Sequence, residues 1–249
     1  MAIYHCSIKV ISRGKGKSAV AAAAYRAGEK ITNQFDGMTH DYTHKGGVVH
    51  TEILLPDHAP AEYADRAVLW NEVEKIEKAK NAQLAREIEI SLPRELTREQ
   101  SISLVREYVK RHFVAAGMCA DVCLHDTGGG NPHAHIMLTM RPFDEGGEWG
   151  AKQKKEYILD RDGNKIYDPK KRQYKCKSIP ATDWNEQTKA EEWRAAWARL
   201  CNQTLEQYEH AERIDHRSYE RQGINQIPTV HLGVAASAME KRGIRTDKG

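Results

Sequence analysis

Residues 119–140 read CADVCLHDTGGGNPHAHIMLTM, and this stretch decides the fold. On both sides of the glycine-rich segment 126–132, side chains of one class recur at every second position, which is typical of β-strands. We therefore predict two antiparallel strands, Cys119 to His125 and His133 to Met140, joined by a seven-residue loop. This hairpin is the starting point for both the fold and the candidate site.

Three histidines, His125, His133 and His135, share one face of the hairpin, because alternation groups the last two and the turn brings the first beside them. The opposite face is apolar and consists of Ala120, Val122, Leu124, Ala134, Ile136 and Leu138. Three neutral imidazoles bind a divalent transition metal and leave coordination positions open, as in catalytic sites. Two other interpretations stay open: a polar strand face that meets solvent, and a structural zinc site with Cys123 as a further ligand.

Outside the hairpin, strand and helix patterns follow one another irregularly. Period-two alternation predicts strands at Ile3 to Ile11 and at Arg86 to Pro93. Helical patterns cover residues 19–27, 61–80, 98–116 and 183–210, and residues 31–58 read as an irregular loop or hairpin. Because strands and helices do not alternate regularly, we expect an α+β fold, a central antiparallel β-sheet flanked by helices.

The overall composition excludes several classes of protein. The chain has 249 residues, 40% of them hydrophobic and 29% charged, and its mean hydropathy is −0.71. No uncharged apolar run reaches the ~20 residues that a membrane-spanning helix needs, and the apolar content is too high for wholesale disorder. Five cysteines without disulfide-framework spacing, and no signal-peptide pattern at the start, lead us to expect a reducing cytoplasm.

A net charge of +3 conceals two basic segments. Residues 1–30 hold six basic groups and one acidic group, and residues 151–177 hold ten basic and four acidic groups. The second segment also contains Tyr157, Tyr167 and Tyr174, and we predict that it forms a protruding basic hairpin. Such local excesses of positive charge are typical of a nucleic-acid-binding surface.

Tyr25 lies on the alanine-rich helix that follows Ser18 and ends at Gly28. By composition alone it is an ordinary core or boundary residue, and a phenolic nucleophile is the functional alternative. Glu87 and Glu89 share one strand face, so they are candidates for a base or for orienting the histidines. The alternative for both is an exposed polar strand face.

Taken together, these segments resemble the MobA/MobL family of plasmid mobilisation relaxases, within the HUH endonucleases. The matching segments are Met1 to His5, Ser18 to Tyr25, Glu87 to Glu89 before Leu92-Pro93, Gly129 to His135, Arg213 to Arg217, Gly223-Ile224 through Pro228, His231 to Gly233, and Arg242 to Asp247. The resemblance therefore spans nearly the whole chain.

The resemblance implies an HUH relaxase-like fold in which the C-terminal helices lie over a cleft for single-stranded DNA. It also implies nicking of one strand at an origin of transfer, with Tyr25 as nucleophile, His125, His133 and His135 as metal ligands, and Glu87 or Glu89 assisting. The product would be a 5′-phosphotyrosyl protein with a free 3′-hydroxyl. Residues 1–249 would form a single relaxase domain, with 151–177 as a DNA-contacting insertion, and we expect it to be the N-terminal part of a longer protein.

The cofactor implied is one divalent metal ion: manganese, magnesium, zinc or nickel. The partners implied are single-stranded or supercoiled plasmid DNA, accessory mobilisation proteins and a coupling protein, with no membrane insertion. The expected DNA-contacting residues are Arg13, Lys15, Lys17, Arg26, Lys152, Lys154, Lys155, Lys170, Lys171 and Arg172.

Three other functions remain open on the sequence. A rolling-circle replication initiator would use the same chemistry at a replication origin. A metal-dependent hydrolytic nuclease would attack with water and form no protein adduct. A non-catalytic DNA-binding module would carry a structural metal.

Overall fold

The computed structural model describes residues 3–226 and 233–247. The chain divides into two compact units, Met1–Asp215 and His216–Gly249. Several positions that carry the family resemblance lie outside the described residues, namely Met1, Ala2, Pro228, His231 and Leu232. None of the helices described is both long enough and apolar enough to cross a lipid bilayer.

A five-stranded sheet forms the centre of the first unit, and all of its neighbouring strands run antiparallel. In spatial order its strands are β1 (Cys6–Ser12), β5 (Gln83–Ser91), β7 (His133–Leu138), β6 (Ala120–His125) and β4 (Val48–Leu54). The predicted α+β class with a central antiparallel sheet is therefore confirmed, and the predicted hairpin supplies two adjacent strands, β6 and β7.

The edge strand β4 lies within residues 31–58, where the sequence indicates only an irregular loop or hairpin. The hairpin is present as β2 (Lys30–Thr32) paired with β3 (Thr39–Asp41). All seven residues of β4 are half-buried, and its pairing with β6 is irregular between Val48 and His50. Because neither face of β4 is clearly apolar, period-two alternation cannot identify it.

Five α-helices are described: α1 (Ala19–Ala27), α2 (Arg66–Ile76), α3 (Arg98–Val109), α4 (Gln187–Gln207) and, in the second unit, α5 (Gly233–Glu240). The sequence signals for the ends of α1 and α3 are confirmed. The Ser18 side chain accepts a hydrogen bond from the Ala21 backbone at 3.2 Å, and Gly28 ends α1 with φ +68°. Thr97 and Gln100 form a reciprocal capping box at α3.

The two faces of the sheet carry different helices. The apolar face packs against α3 and α4, and Trp193 and Trp197 of α4 are buried in this core. The other face packs against α1 and α2, with Leu69 and Trp70 fully buried there. Since the histidines alternate with the apolar residues of β6 and β7, they lie on the α1 side of the sheet.

Helix α4 packs on the apolar face of the sheet, opposite the histidines. The physical reason is its apolar stripe, which buries Trp197, Leu200 and Leu205 against the core shared with α3.

Residues 153–180 form an extended basic arm, which we call the arm below. At its base β8 (Gln153–Tyr157) pairs with β11 (Cys176–Pro180), and at its tip β9 (Tyr167–Asp168) pairs with β10 (Gln173–Tyr174). Every residue of β8 is exposed. The predicted basic hairpin is thus present, with a further small hairpin at its end.

Candidate active site

The register of β6 and β7 brings the three histidines together. His125 pairs directly with His133, and Cys123 pairs with His135. The three imidazole rings lie 4.9–5.2 Å apart between centroids, and one nitrogen from each ring lies within 4.8 Å of the other two. The hairpin therefore forms the predicted cluster.

Hydrogen bonds hold each imidazole in one orientation. His133 Nδ1 donates to the Asn131 carbonyl at 2.9 Å, and His135 Nδ1 donates to Glu87 Oε1 at 3.0 Å, which leaves Nε2 of both rings for a ligand. His125 Nε2 donates to the Arg26 carbonyl at 2.6 Å, which leaves its Nδ1. Each imidazole thus keeps one ring nitrogen for a ligand, and three imidazoles this close together fit a divalent transition metal.

Local electrostatics favour neutral imidazole at His125 and ionised carboxylate at Glu87. Burial lowers the pKa of His125 to about 4, and the charge of Lys45 acts in the same direction. Burial alone would raise the pKa of Glu87, but the His135 hydrogen bond and the charge of Arg26 outweigh it and lower the value to about 2. At neutral pH a neutral His125 has a lone pair to give, and an ionised Glu87 accepts the hydrogen of His135.

Tyr25 lies in the last turn of α1, beside the cluster. Its neighbour Arg26 supplies the carbonyl that His125 contacts, so the end of the helix touches the histidines directly. The Tyr25 side chain is 49% exposed, and the edge of Tyr42 meets its ring with centroids 5.2 Å apart. An accessible phenol thus stands next to three candidate metal ligands.

Lys45 is a site residue that sequence reasoning missed. Its Nζ donates to the Tyr25 carbonyl at 2.9 Å, lies 4.2 Å from the centroid of the Tyr25 ring, and is 3.4 Å from His125 Nε2. Burial lowers its pKa. Lys45 belongs to the irregular connection before β4, where no periodic pattern or motif draws attention to a single lysine.

The two candidate glutamates have different partners. Glu87 is buried and pairs with Arg26, whose Nε donates to Glu87 Oε1 at 2.6 Å, as well as with His135. Glu89 is partly exposed and pairs with Lys9 at 3.3 Å. Glu87 is therefore the carboxylate that contacts the cluster.

The structure separates the expected DNA-contacting residues into two groups. Arg13 and Arg26 are mostly buried and pair with Glu74 and Glu87, and Lys152 bonds Glu77 at 2.8 Å. The charges of these three residues are therefore compensated by carboxylates of the fold. The others are exposed: Lys15, Lys17, Lys154, Lys155, Lys170, Lys171 and Arg172.

Comparison with known proteins gives a consistent set of relatives. The model of the MobA/MobL family matches residues 17–242. The chain is 39% identical to the probable mobilization protein MobA of Bifidobacterium longum over 98% of this chain and 45% of that protein. It is 40% identical to mobilization protein MobL of Acidithiobacillus ferridurans, over 97% of this chain and 65% of that protein.

A third relative and a solved structure extend these matches. The conjugal transfer protein TraA of Agrobacterium fabrum is 42% identical over 99% of this chain and 23% of its own length. The chain thus spans between 23% and 65% of the length of these relatives. A chain from a structure described as the molecular basis of vancomycin resistance transfer in Staphylococcus aureus matches with a TM-score of 0.75 and 33% identity, covering 88% of this chain and 100% of that one.

Proposed function

The chain belongs to the MobA/MobL family, and from this premise we propose that it is a metal-dependent DNA relaxase in conjugative mobilisation. It nicks one strand at an origin of transfer, with Tyr25 as the nucleophile. The contact between α1 and the histidine cluster carries the proposal: His125 donates to the carbonyl of Arg26, the residue directly after Tyr25. A transesterification of this kind requires a nucleophilic phenol near a group that activates the phosphate.

The proposed reaction exchanges one phosphoester bond for another. The phenolic oxygen of Tyr25 attacks the scissile phosphorus and loses its proton, the P–O3′ bond breaks, and the 3′-oxygen takes up a proton. The products are a 5′-phosphotyrosyl protein and a free 3′-hydroxyl. Because the number of phosphoester bonds does not change, the reverse reaction rejoins the strand without ATP.

Several residues position the nucleophile. The residues around Tyr25 on its helix are mostly alanines, which leave the phenol open to a bulky polymer. Tyr42 packs edge-on against the ring, and Lys45 holds the backbone carbonyl of Tyr25. The Lys45 ammonium also adds a fixed positive charge where an anionic phosphate would approach.

His125, His133 and His135 would hold one divalent ion. When bound, such an ion neutralises negative charge on the non-bridging oxygens of the phosphate, and no anionic ligand in the set reduces its own charge. Three imidazole nitrogens suit manganese, zinc or nickel better than magnesium, which prefers oxygen ligands. Glu87 orients His135 and thereby supports the site.

The proposed substrate is single-stranded or supercoiled plasmid DNA at an origin of transfer, in the cytoplasm, with accessory mobilisation proteins and a coupling protein as partners. We assign phosphate contacts to the exposed basic residues of the arm and of the first turn, which is the turn that follows β1: Lys15, Lys17, Lys154, Lys155, Lys170, Lys171 and Arg172. Exposed tyrosines of the arm, Tyr157, Tyr167 and Tyr174, supply base stacking that tolerates any sequence. The arm thus serves as an insertion within one relaxase domain.

The decisive experiment compares Tyr25→Phe with Tyr42→Phe. Wild-type protein is incubated with manganese and labelled single-stranded oligonucleotides that tile the DNA flanking its gene, and adducts are resolved on a denaturing gel. We expect Tyr25→Phe to abolish the adduct, because the phenylalanine ring has no attacking oxygen. Tyr42→Phe loses the neighbouring hydroxyl and should retain the adduct, and EDTA should prevent adduct formation in every active protein.

Other outcomes distinguish the remaining functions. An adduct that survives in Tyr25→Phe would remove Tyr25 as nucleophile. Cleavage without any adduct in the wild type would indicate a hydrolytic nuclease, and chelator-resistant DNA binding without cleavage would indicate a binding module.

A further inference from the structure

A groove of about 430 Å³ lies at the end of the sheet, beside the candidate metal centre. Leu92, Leu96 and Leu124 supply an apolar part of its lining, which we call the leucine floor, and His125 also lines the groove. Its volume falls within the range of about 300–1,000 Å³ that is typical of small-molecule sites. Since His125 belongs to the histidine cluster, an occupant of the groove lies close to one candidate metal ligand.

Two arginines stand at the groove with their charges available. Arg94 and Arg98 line it, and both are exposed. In the part of the chain that the structure describes, neither guanidinium forms a hydrogen bond or ion pair. Asp126 accepts the Gly128 backbone N–H at 2.8 Å. Hydrogen bonds from its own backbone and from the Thr97 side chain lower the pKa of Glu99, and the charge of Arg98 adds to this. Since no carboxylate holds either guanidinium by a hydrogen bond in the described residues, both arginines can bind an anion.

The glycine-rich loop between β6 and β7 leaves space for the Arg94 side chain. A β-carbon added to Gly130, where φ is +78°, would lie 3.0 Å from Arg94 Cζ. The guanidinium of Arg94 therefore rests against the loop that joins β6 and β7, at a place where glycine leaves space. This contact sets a positive charge beside the hairpin that carries the histidines.

We propose that this groove binds one nucleotide of the DNA strand adjacent to the scissile phosphate. The base covers the leucine floor, and Arg94 and Arg98 bind the phosphate of that nucleotide. The inference rests on the proposed function, since it places a DNA strand at the histidine cluster. It adds a binding site that is separate from the exposed lysines of the arm and of the first turn.

The test measures equilibrium binding of single-stranded DNA in the Tyr25→Phe background, which removes the nucleophile and so separates binding from nicking. Arg94→Ala/Arg98→Ala is compared with Lys110→Ala/Arg199→Ala, which removes two exposed positive charges from α4 and the end of α3, outside the groove. Loss of the groove arginines should weaken binding and reduce the slope of log affinity against log salt by about 0.7 for each lost phosphate contact. The control pair should leave both quantities close to the parent values.

An abasic scan of the oligonucleotide tests the base-binding floor. One abasic position next to the nick should weaken binding by the parent protein severalfold, and this positional effect should shrink in Arg94→Ala/Arg98→Ala. Equal losses in the two double variants, or no sensitive position in the scan, would overturn the inference. Failure of the Tyr25→Phe parent to bind single-stranded DNA would overturn both proposals, whereas normal binding without nicking by the wild type would overturn the proposed function alone.

Discussion

At the scale of single residues, Glu87 and Glu89 show how two residues on the same face of one strand differ in role. Both lie on the histidine face of β5, and the sequence does not rank them. Glu87 accepts the Nδ1 hydrogen of His135 and pairs with Arg26, whereas Glu89 pairs with Lys9 nearer the solvent. A buried carboxylate that fixes the tautomer of a candidate ligand strengthens metal binding.

We expect Glu87→Gln to lower the affinity for manganese or zinc by about 10- to 100-fold, because the neutral amide no longer supports His135 with a full negative charge. Glu89→Gln, two residues away on the same face, should change the affinity far less. Isothermal titration calorimetry measures both, with circular dichroism to verify folding. Equal effects of the two substitutions would contradict the assigned role of Glu87.

At the scale of elements, one buried ionic network attaches α2 to β6. Asp121 is 1% exposed and accepts hydrogen bonds from Arg66 Nε at 2.9 Å and from Trp70 Nε1 at 2.8 Å. Asp121 lies on the same face of β6 as His125, which follows four residues later on that strand. The packing of α2 therefore fixes the strand that presents the first histidine.

Asp121→Ala should reduce the free energy of unfolding by about 3–5 kcal/mol, because Arg66 keeps its charge in a buried place and loses its main partner. The matched control is Glu72→Ala, which breaks the exposed pair with Lys75 and should cost less than about 1 kcal/mol. Urea unfolding followed by tryptophan fluorescence measures both. A loss at Asp121 no larger than at Glu72 would show that this network does not stabilise the docking of α2.

At the scale of the whole molecule, the net charge of +3 gives little indication of where DNA would bind. Arg13 and Arg26 are neutralised inside the fold by glutamates, so two of the six basic groups in the first 30 residues are not available to DNA. The arm, in contrast, keeps its basic groups exposed, and its tyrosines stack edge to face, with Tyr167 and Tyr174 5.5 Å apart. Most of the accessible positive charge in the expected DNA-contacting set belongs to the arm.

Replacing residues 158–175 by an Asn-Gly turn should close the ladder between Tyr157 and Cys176 and remove the tip of the arm. We expect weaker binding to single-stranded DNA and a shallower salt dependence, since the excised tip carries six basic and three acidic groups. Metal affinity should stay the same, because the three histidines lie on β6 and β7 and none is removed with the tip. Fluorescence anisotropy at several salt concentrations measures the DNA affinity and its salt dependence. If neither quantity changes, DNA binds outside the tip of the arm.

The sequence by itself determined the features that depend on neighbours along the chain. Alternation from Cys119 to Met140 predicted the hairpin and the shared face of the three histidines, and the register of β6 and β7 agrees. Caps at Ser18 and Thr97 placed the starts of two helices. Such signals are local, because side-chain periodicity and backbone capping act within a few residues.

Only the tertiary structure decided which of the polar candidates meet. Lys45 contacts Tyr25, which is twenty residues away in the sequence. Glu87 pairs with Arg26 and His135 across 61 and 48 residues. Strand β4 forms one edge of the sheet. The physical reason is that a charged side chain has many possible partners in one sequence. Burial selects among them, because an unpaired charge inside the protein costs more free energy than one left in water.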